Sequence, residues 1–211
     1  MQVLVGPATR GIGLPQDSNL LQPFTQGAQP RTLHSNAKMA FMTPRLFDLS
    51  STWHLPATPE QVWEVIADID MSWPNWWPRC SFAGPLVRTK AVSNSQEDIL
   101  KATTAHLNFK ASLGYALTIS IHPTDVVAPQ EIDFDAGGHL NGTGRVVLTP
   151  EKQGVATRMD IEWRVHPTQR WMNLLTPIAA PVFTAAHALM MKQGEKGLVK
   201  ALANEARTAA S

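Results

Sequence analysis

The sequence predicts an α+β fold: a curved antiparallel sheet wrapped around a long C-terminal helix, with two short helices after the first strand. Three observations carry this expectation. Extended runs broken by turn residues fill the middle of the chain, from about residue 82 to 166. A helix-start signature follows the first alternating run, at Thr58. An apolar pattern of three-to-four spacing then runs from about Gln169 to Ala206. A sheet with one wet face must cover its dry face, and only that last helix is long enough to do so.

Residues 1 to 44 are rich in Gly, Pro, Gln, Ser and Asn without a sustained period, so they are expected to form a disordered tail. Met39 and Met42 lie just ahead of the ordered pattern, and an overlong start is the simpler account of this stretch. The folded domain is expected over 45–205. It opens with Phe47, Leu49, Ser51, Trp53 and Leu55 alternating with Asp48, Ser50, Thr52 and His54, a strand with one largely apolar face. In "ATPEQVWEVIAD", Thr58 stands as N-cap, Pro59 at the first helical position and Gln61 where it closes a capping box.

"SWPNWWPRC" then places Trp73, Trp76 and Trp77 between Pro74 and Pro78, which prevent an ordinary helix. Extended runs follow at roughly 82–90, 97–109, 113–122, 129–136, 139–149 and 155–166. Turns are expected at Pro123 with Asp125, at Gly137-Gly138 and at Pro150 with Gly154. The clearest alternation sets Thr157, Met159, Ile161, Trp163 and Val165 against Arg158, Asp160, Glu162 and Arg164. In the final helix, Pro177 and Pro181 are expected to kink or break the first part.

Composition narrows the function. A net charge of +1, without a basic stripe, lacks the electrostatic footprint of a nucleic-acid binder. The one cysteine, Cys80, excludes an internal disulfide and reads as a small buried apolar residue in a reducing compartment. Residues 171–191 contain no Asp, Glu, Lys or Arg, yet Asn173, Thr176, Pro177, Pro181, Thr184 and His187 interrupt the run. It reads as a buried helix and not a transmembrane segment, while transient membrane contact stays open. No secretory signal is recognisable, which makes the cytoplasm the expected location. The seven histidines are dispersed without metal-binding spacing, and "GTG" at 142–144 falls inside a strand pattern. Neither a metal site nor a nucleotide or other cofactor is expected.

Three stretches resemble the START-like, or SRPBCC, superfamily with its helix-grip fold, and in particular its polyketide cyclase/dehydrase and lipid-transport branch. They are "PATPEQVWEVIADIDMSWPNWWP", "GGHLNGTGRVVL", and "IEWRV" followed by "RWMNLLTPIAAPVF" and "MMKQGEKGLVKAL". The resemblance covers about residues 45–204. Two positions depart from the family pattern: His139 stands where an acidic residue is frequent, and Ala186-His187 where Asn-His is frequent. No role of that acid or asparagine transfers to this chain.

The resemblance implies a cavity between the long helix and the sheet that holds a small hydrophobic molecule: a lipid, polyketide, isoprenoid or aromatic compound. Trp73, Trp76 and Trp77 would wall one end. Tyr115, Leu117, Met159, Ile161, Trp163, Phe183, His187, Met190 and Met191 are the further expected lining residues, although Met190 and Met191 are adjacent and cannot point the same way. Gly142 and Gly144 leave room on a strand face, for which the helix is the expected partner, with Gly194 and Gly197 as its own close-packing positions.

An alternative reading is a polyketide cyclase/dehydrase-like enzyme in the same cavity. His187 would then be the general acid or base and Tyr115 a donor to a developing enolate. A further alternative is a protein-interaction module, which predicts an exposed apolar patch in place of a cavity.

Overall fold

The structure, a computed structural model, describes residues 46–110 and 116–209, without the side chains of 170–180 and 182. The expected tail at 1–44 and the candidate Tyr115 lie outside the described residues. Chain order is β1 (Phe47–Leu55), α1 (Pro59–Ile66), a single 3-10 turn (Trp73–Asn75), β2 (Cys80–Phe82), β3 (Val87–Arg88), α2 (Gln96–Lys101), β4 (Thr103–Lys110), β5 (Ala116–Val127), β6 (Glu131–Gly138), β7 (Leu140–Glu151), β8 (Ala156–Pro167) and α3 (Arg170–Ala209). The strands form one curled antiparallel sheet in the order β1-β8-β7-β6-β5-β4-β2, with β3 paired to β4.

The local signals act as their chemistry requires. Thr58 Oγ1 accepts from the Gln61 amide at 3.3 Å while Gln61 Oε1 accepts from the Thr58 amide at 3.0 Å, so two orphan donors of α1 are satisfied reciprocally. Along β8, Met159, Ile161, Trp163 and Val165 are buried, whereas Arg158, Glu162 and Arg164 are exposed. Register sets Leu49 opposite Trp163 and Trp53 opposite Met159, so the apolar faces of β1 and β8 coincide. On the outer face Arg145 pairs with Glu131 at 2.5 Å, and Thr52 Oγ1 donates to Asp160 at 2.8 Å. These are solvated cross-strand contacts, each of small energetic weight.

Four expectations are corrected. The run at 97–109 divides: Ser95 accepts from the Asp98 amide at 3.2 Å and caps α2, so the strand begins only at Thr103. Pro123 with Asp125 is no turn; β5 continues to Val127 and absorbs the proline at a register shift between those two residues. A bulge is one of the few places a sheet tolerates a missing amide hydrogen. The stretch 82–90 yields only the short β2 and β3. Of the expected kink or break at Pro177 and Pro181, the break does not occur, since α3 is one continuous helix from Arg170 to Ala209.

The core is built from Trp53 and Leu55 of β1, Val62 and Ile66 of α1, Leu107 of β4, Val165 of β8, and Met191, Leu198 and Leu202 of α3. Met191, Gly194, Leu198 and Leu202 are buried at helical spacing, the stripe that α3 turns to the sheet. Among the described residues, no helix is long and apolar enough to cross a membrane.

Candidate ligand cavity

The tryptophan segment seats α3. Trp77 packs edge-on to Trp53 and to Phe109 and stacks on Trp76, all with ring centroids 5.5 Å apart. A side chain at Gly194 would meet the Trp77 ring at 2.6 Å, and one at Gly197 would strike the Trp76 carbonyl oxygen. Both glycines therefore act as close-packing positions: the Trp77 and Trp53 indoles fill the space at Gly194, and the Trp76 backbone with the Pro78 ring fills that at Gly197. Prolines 74 and 78 limit regular structure here to that one 3-10 turn.

Between this segment, α3 and the concave face of the sheet lies a cavity of about 120 Å³. An apolar cavity of about 150 Å³ is known to admit a benzene ring, so this space is close to, and somewhat below, the size that holds a single ring. Its wall includes Trp73, Trp76 and Trp77, Leu117 of β5, Met159, Ile161 and Trp163 of β8, and His187 and Met190 of α3. Nine of the predicted lining residues thus meet around one space. Phe109 and Met190 also face a small outer hollow bounded by Pro78, Lys110, Leu189 and Gln193.

Two predicted residues do not line the cavity. Met191 is 2% exposed and belongs to the packed core, because a one-residue step on a helix turns it about 100° away from Met190. Phe183 instead packs edge-on against Phe47, at 6.4 Å between centroids. The glycine expectation also changes: the nearest neighbour of Gly144 is the Phe134 ring, its cross-strand partner, and that of Gly142 is the Arg164 backbone of β8, not α3. Phe134 in turn packs on Trp163 at 5.0 Å and joins the cavity wall.

The wall is apolar, and four buried nitrogens of residues that line it have no hydrogen-bond partner among the described residues: Trp76 Nε1, Trp77 Nε1, Trp163 Nε1 and His187 Nε2. Two other indoles are satisfied. Trp73 Nε1 donates to the Ile66 carbonyl at 2.8 Å and Trp63 Nε1 to Gln96 Oε1 at 3.1 Å. Burial pushes the His187 imidazole down to about 4, so it is neutral at pH 7.

A family model described as polyketide cyclase / dehydrase and lipid transport matches residues 55–206. The chain belongs to that family. Solved structures agree on its fold. The Zhui aromatase/cyclase from a Streptomyces species superposes with a TM-score of 0.58 at 12% identity, over 78% of this chain and 98% of that one. A START superfamily protein from Mycobacterium smegmatis gives 0.56 at 12% identity, over 74% and 97% respectively. A conserved protein from Geobacillus kaustophilus gives 0.55 at 15%, over 75% and 96%. No curated protein matches the sequence.

In this member of the polyketide cyclase / dehydrase and lipid transport family, sequence reasoning missed Phe109, Ile119, Ile121, Ile132, Phe134 and Val146 of the wall. Alternation in β5 marked Leu117, Ile119 and Ile121 as sharing a face, and that signal could have found two of them. Cys80 lies outside the cavity wall, and burial pushes its thiol up to about 12. The folded protein is therefore expected to resist a small thiol reagent at pH 8, while the same chain in guanidinium labels at its one cysteine. Equal labelling rates in the two states would contradict that placement.

Proposed function

We propose that the protein binds a small hydrophobic molecule carrying hydrogen-bond acceptors in the cavity between α3 and the sheet. One observation carries the reading: an otherwise apolar cavity is walled by residues of which three indole N–H groups and one imidazole nitrogen have no hydrogen-bond partner among the described residues. A buried polar group left unsatisfied costs about 1–3 kcal/mol, and four around one cavity are economical only if an occupant meets them. An apolar cavity with a few placed polar groups is the usual form of a small-molecule site. Met159 and Met190, with flexible thioether chains, let the wall widen for an occupant larger than one ring. Met190 and Phe109 line both the cavity and the outer hollow, and the reading takes that hollow as the route of access. The reading places the protein in the cytoplasm, where a single buried thiol stays reduced.

A cyclase-type reaction in the same cavity is the second reading. Its support is His187, a neutral imidazole in the wall whose Nε2 is free to accept or donate a proton. The name of the Zhui aromatase/cyclase agrees with it. A protein-interaction module is less well served, because it predicted an exposed patch in place of a cavity.

The test is native mass spectrometry of the protein from its own host, with extraction of any bound compound. A stoichiometric, acceptor-bearing hydrophobic molecule is expected, and its conversion on prolonged incubation would add the enzyme reading. A bound ligand without acceptor atoms would contradict the proposal.

A further inference from the structure

An overall charge of +1 conceals an uneven distribution of cations. On the outer face of the sheet each arginine stands against a carboxylate: Arg145 against Glu131 and Asp133, Arg158 against Asp160, and Arg164 against Asp48. On α3, by contrast, Lys192, Lys196 and Lys200 recur every four residues, all exposed and, among the described residues, none in an ion pair. At about 100° per residue they share with Leu189 an arc of about 80°, opposite the buried stripe of Met191, Gly194, Leu198 and Leu202. The two glutamates of α3 lie off that arc. Glu195 turns to β1, where its Oε1 accepts from the His54 amide at 3.2 Å, and Glu205 lines a hollow against α1. The row ends at the outer hollow, where Leu189 is 45% exposed and Arg79 and Lys110 share the wall.

We infer that this face of α3 docks on a membrane surface bearing anionic lipids, with the lysine row on the headgroups and Leu189 at the acyl boundary. The side chains favour lipid over an acidic protein as the occupant. A lysine is a point charge on a flexible stem, which suits a plane of mobile headgroups, whereas the cores of protein interfaces are depleted of lysine and enriched in arginine. Charge attraction joined to one inserted apolar side chain is also how interfacial helices hold a bilayer. Each lysine near the anionic surface adds to the attraction, which fades within a Debye length, so the contact is salt-sensitive and reversible. Docked in this way, the chain sets its outer hollow against the lipid. The docking stands independently of what the cavity holds, so the two readings can fail separately.

Sedimentation of the full chain with vesicles tests the inference. Vesicles of phosphatidylcholine with phosphatidylserine are expected to retain the protein at about 0.1 M salt, pure phosphatidylcholine far less, and about 0.5 M salt should release it. The triple variant Lys192→Gln, Lys196→Gln, Lys200→Gln should bind the anionic vesicles more weakly by on the order of a hundredfold. A control of the same net charge, Lys90→Gln, Lys101→Gln, Arg158→Gln, loses three cations off α3 and should bind nearly as the natural protein does. A bimane label on Leu189→Cys should shift its emission to the blue on anionic vesicles. No binding to anionic vesicles, equal binding to both kinds, or equal losses in the two triple variants would overturn the docking face. Duplex DNA held as tightly as the vesicles at the same salt would overturn the choice of lipid. Bound protein whose bimane emission stays in place would overturn the position given to Leu189.

Discussion

Replacing Trp77 by alanine is expected to lower the unfolding free energy by about 3 kcal/mol or more, the range of a large aromatic deletion. Trp77 is half-buried, but its ring touches three other aromatic rings and fills the hollow above Gly194. The deletion therefore removes the contact through which the tryptophan segment holds α3. The specific claim is the pairing of Trp77 with Gly194, and a double-mutant cycle isolates it. In the natural protein Gly194→Ala gains helix propensity of about 1 kcal/mol, yet its methyl group would meet Trp77 at 2.6 Å and Trp53 at 2.9 Å. A net loss is expected, since overpacking of a core typically costs about 1–3 kcal/mol. With Trp77→Ala already present, the first clash is gone and the same substitution should cost less or stabilise. Urea midpoints of the four proteins give the coupling, expected at about 1–2 kcal/mol. Additive effects would mean that the glycine and the indole are not partners.

How much of this was legible in the sequence follows from which signals are local. The capping box at Thr58, the alternation in β1 and β8 and the stripe of α3 each depend on neighbours a few residues apart; the first two appear as read, and the stripe does over its described C-terminal part, where Met191, Leu198 and Leu202 are buried. α2 also had a local signal, Ser95 three residues before Asp98, but it abuts the apolar strand β4 without a turn residue, and the strand pattern absorbed it. The partners of Gly142 and Gly144 were not legible, because they depend on the registers of β6, β7 and β8, which no short-range pattern encodes. At the site, two-residue alternation identified the β8 wall, whereas Met190 and Met191 could be separated only by the rotation of α3. The four unpaired nitrogens were invisible in advance. Whether an indole finds a partner is decided by tertiary contacts, as the satisfied Trp63 and Trp73 show beside the unsatisfied Trp76 and Trp77.

The second large effect is a pH-dependent loss of stability that traces to His187. Its folded value near 4 lies below the ordinary imidazole value of 6.5, and the cause is burial. Between those two values the unfolded chain holds the proton and the folded chain does not, so stability rises with pH across the interval. The contribution is complete above about pH 6.5, fades as pH falls, and is gone below about pH 4. Its size is at most about 3 kcal/mol at one pKa unit per 1.36 kcal/mol, and less to the extent that water reaches the half-buried ring. Carboxylates elsewhere titrate in the same range, so the informative quantity is the difference between the natural protein and His187→Leu. That variant should lose less stability between pH 7 and pH 4 than the natural protein does. Its binding of a small hydrophobic ligand should also vary little with pH over this range, because the wall then holds no titrating group among the described residues. Parallel pH profiles for the two proteins would show instead that His187 takes up its proton as freely folded as unfolded. A ring that does so is hydrated, and it could not belong to a dry cavity wall.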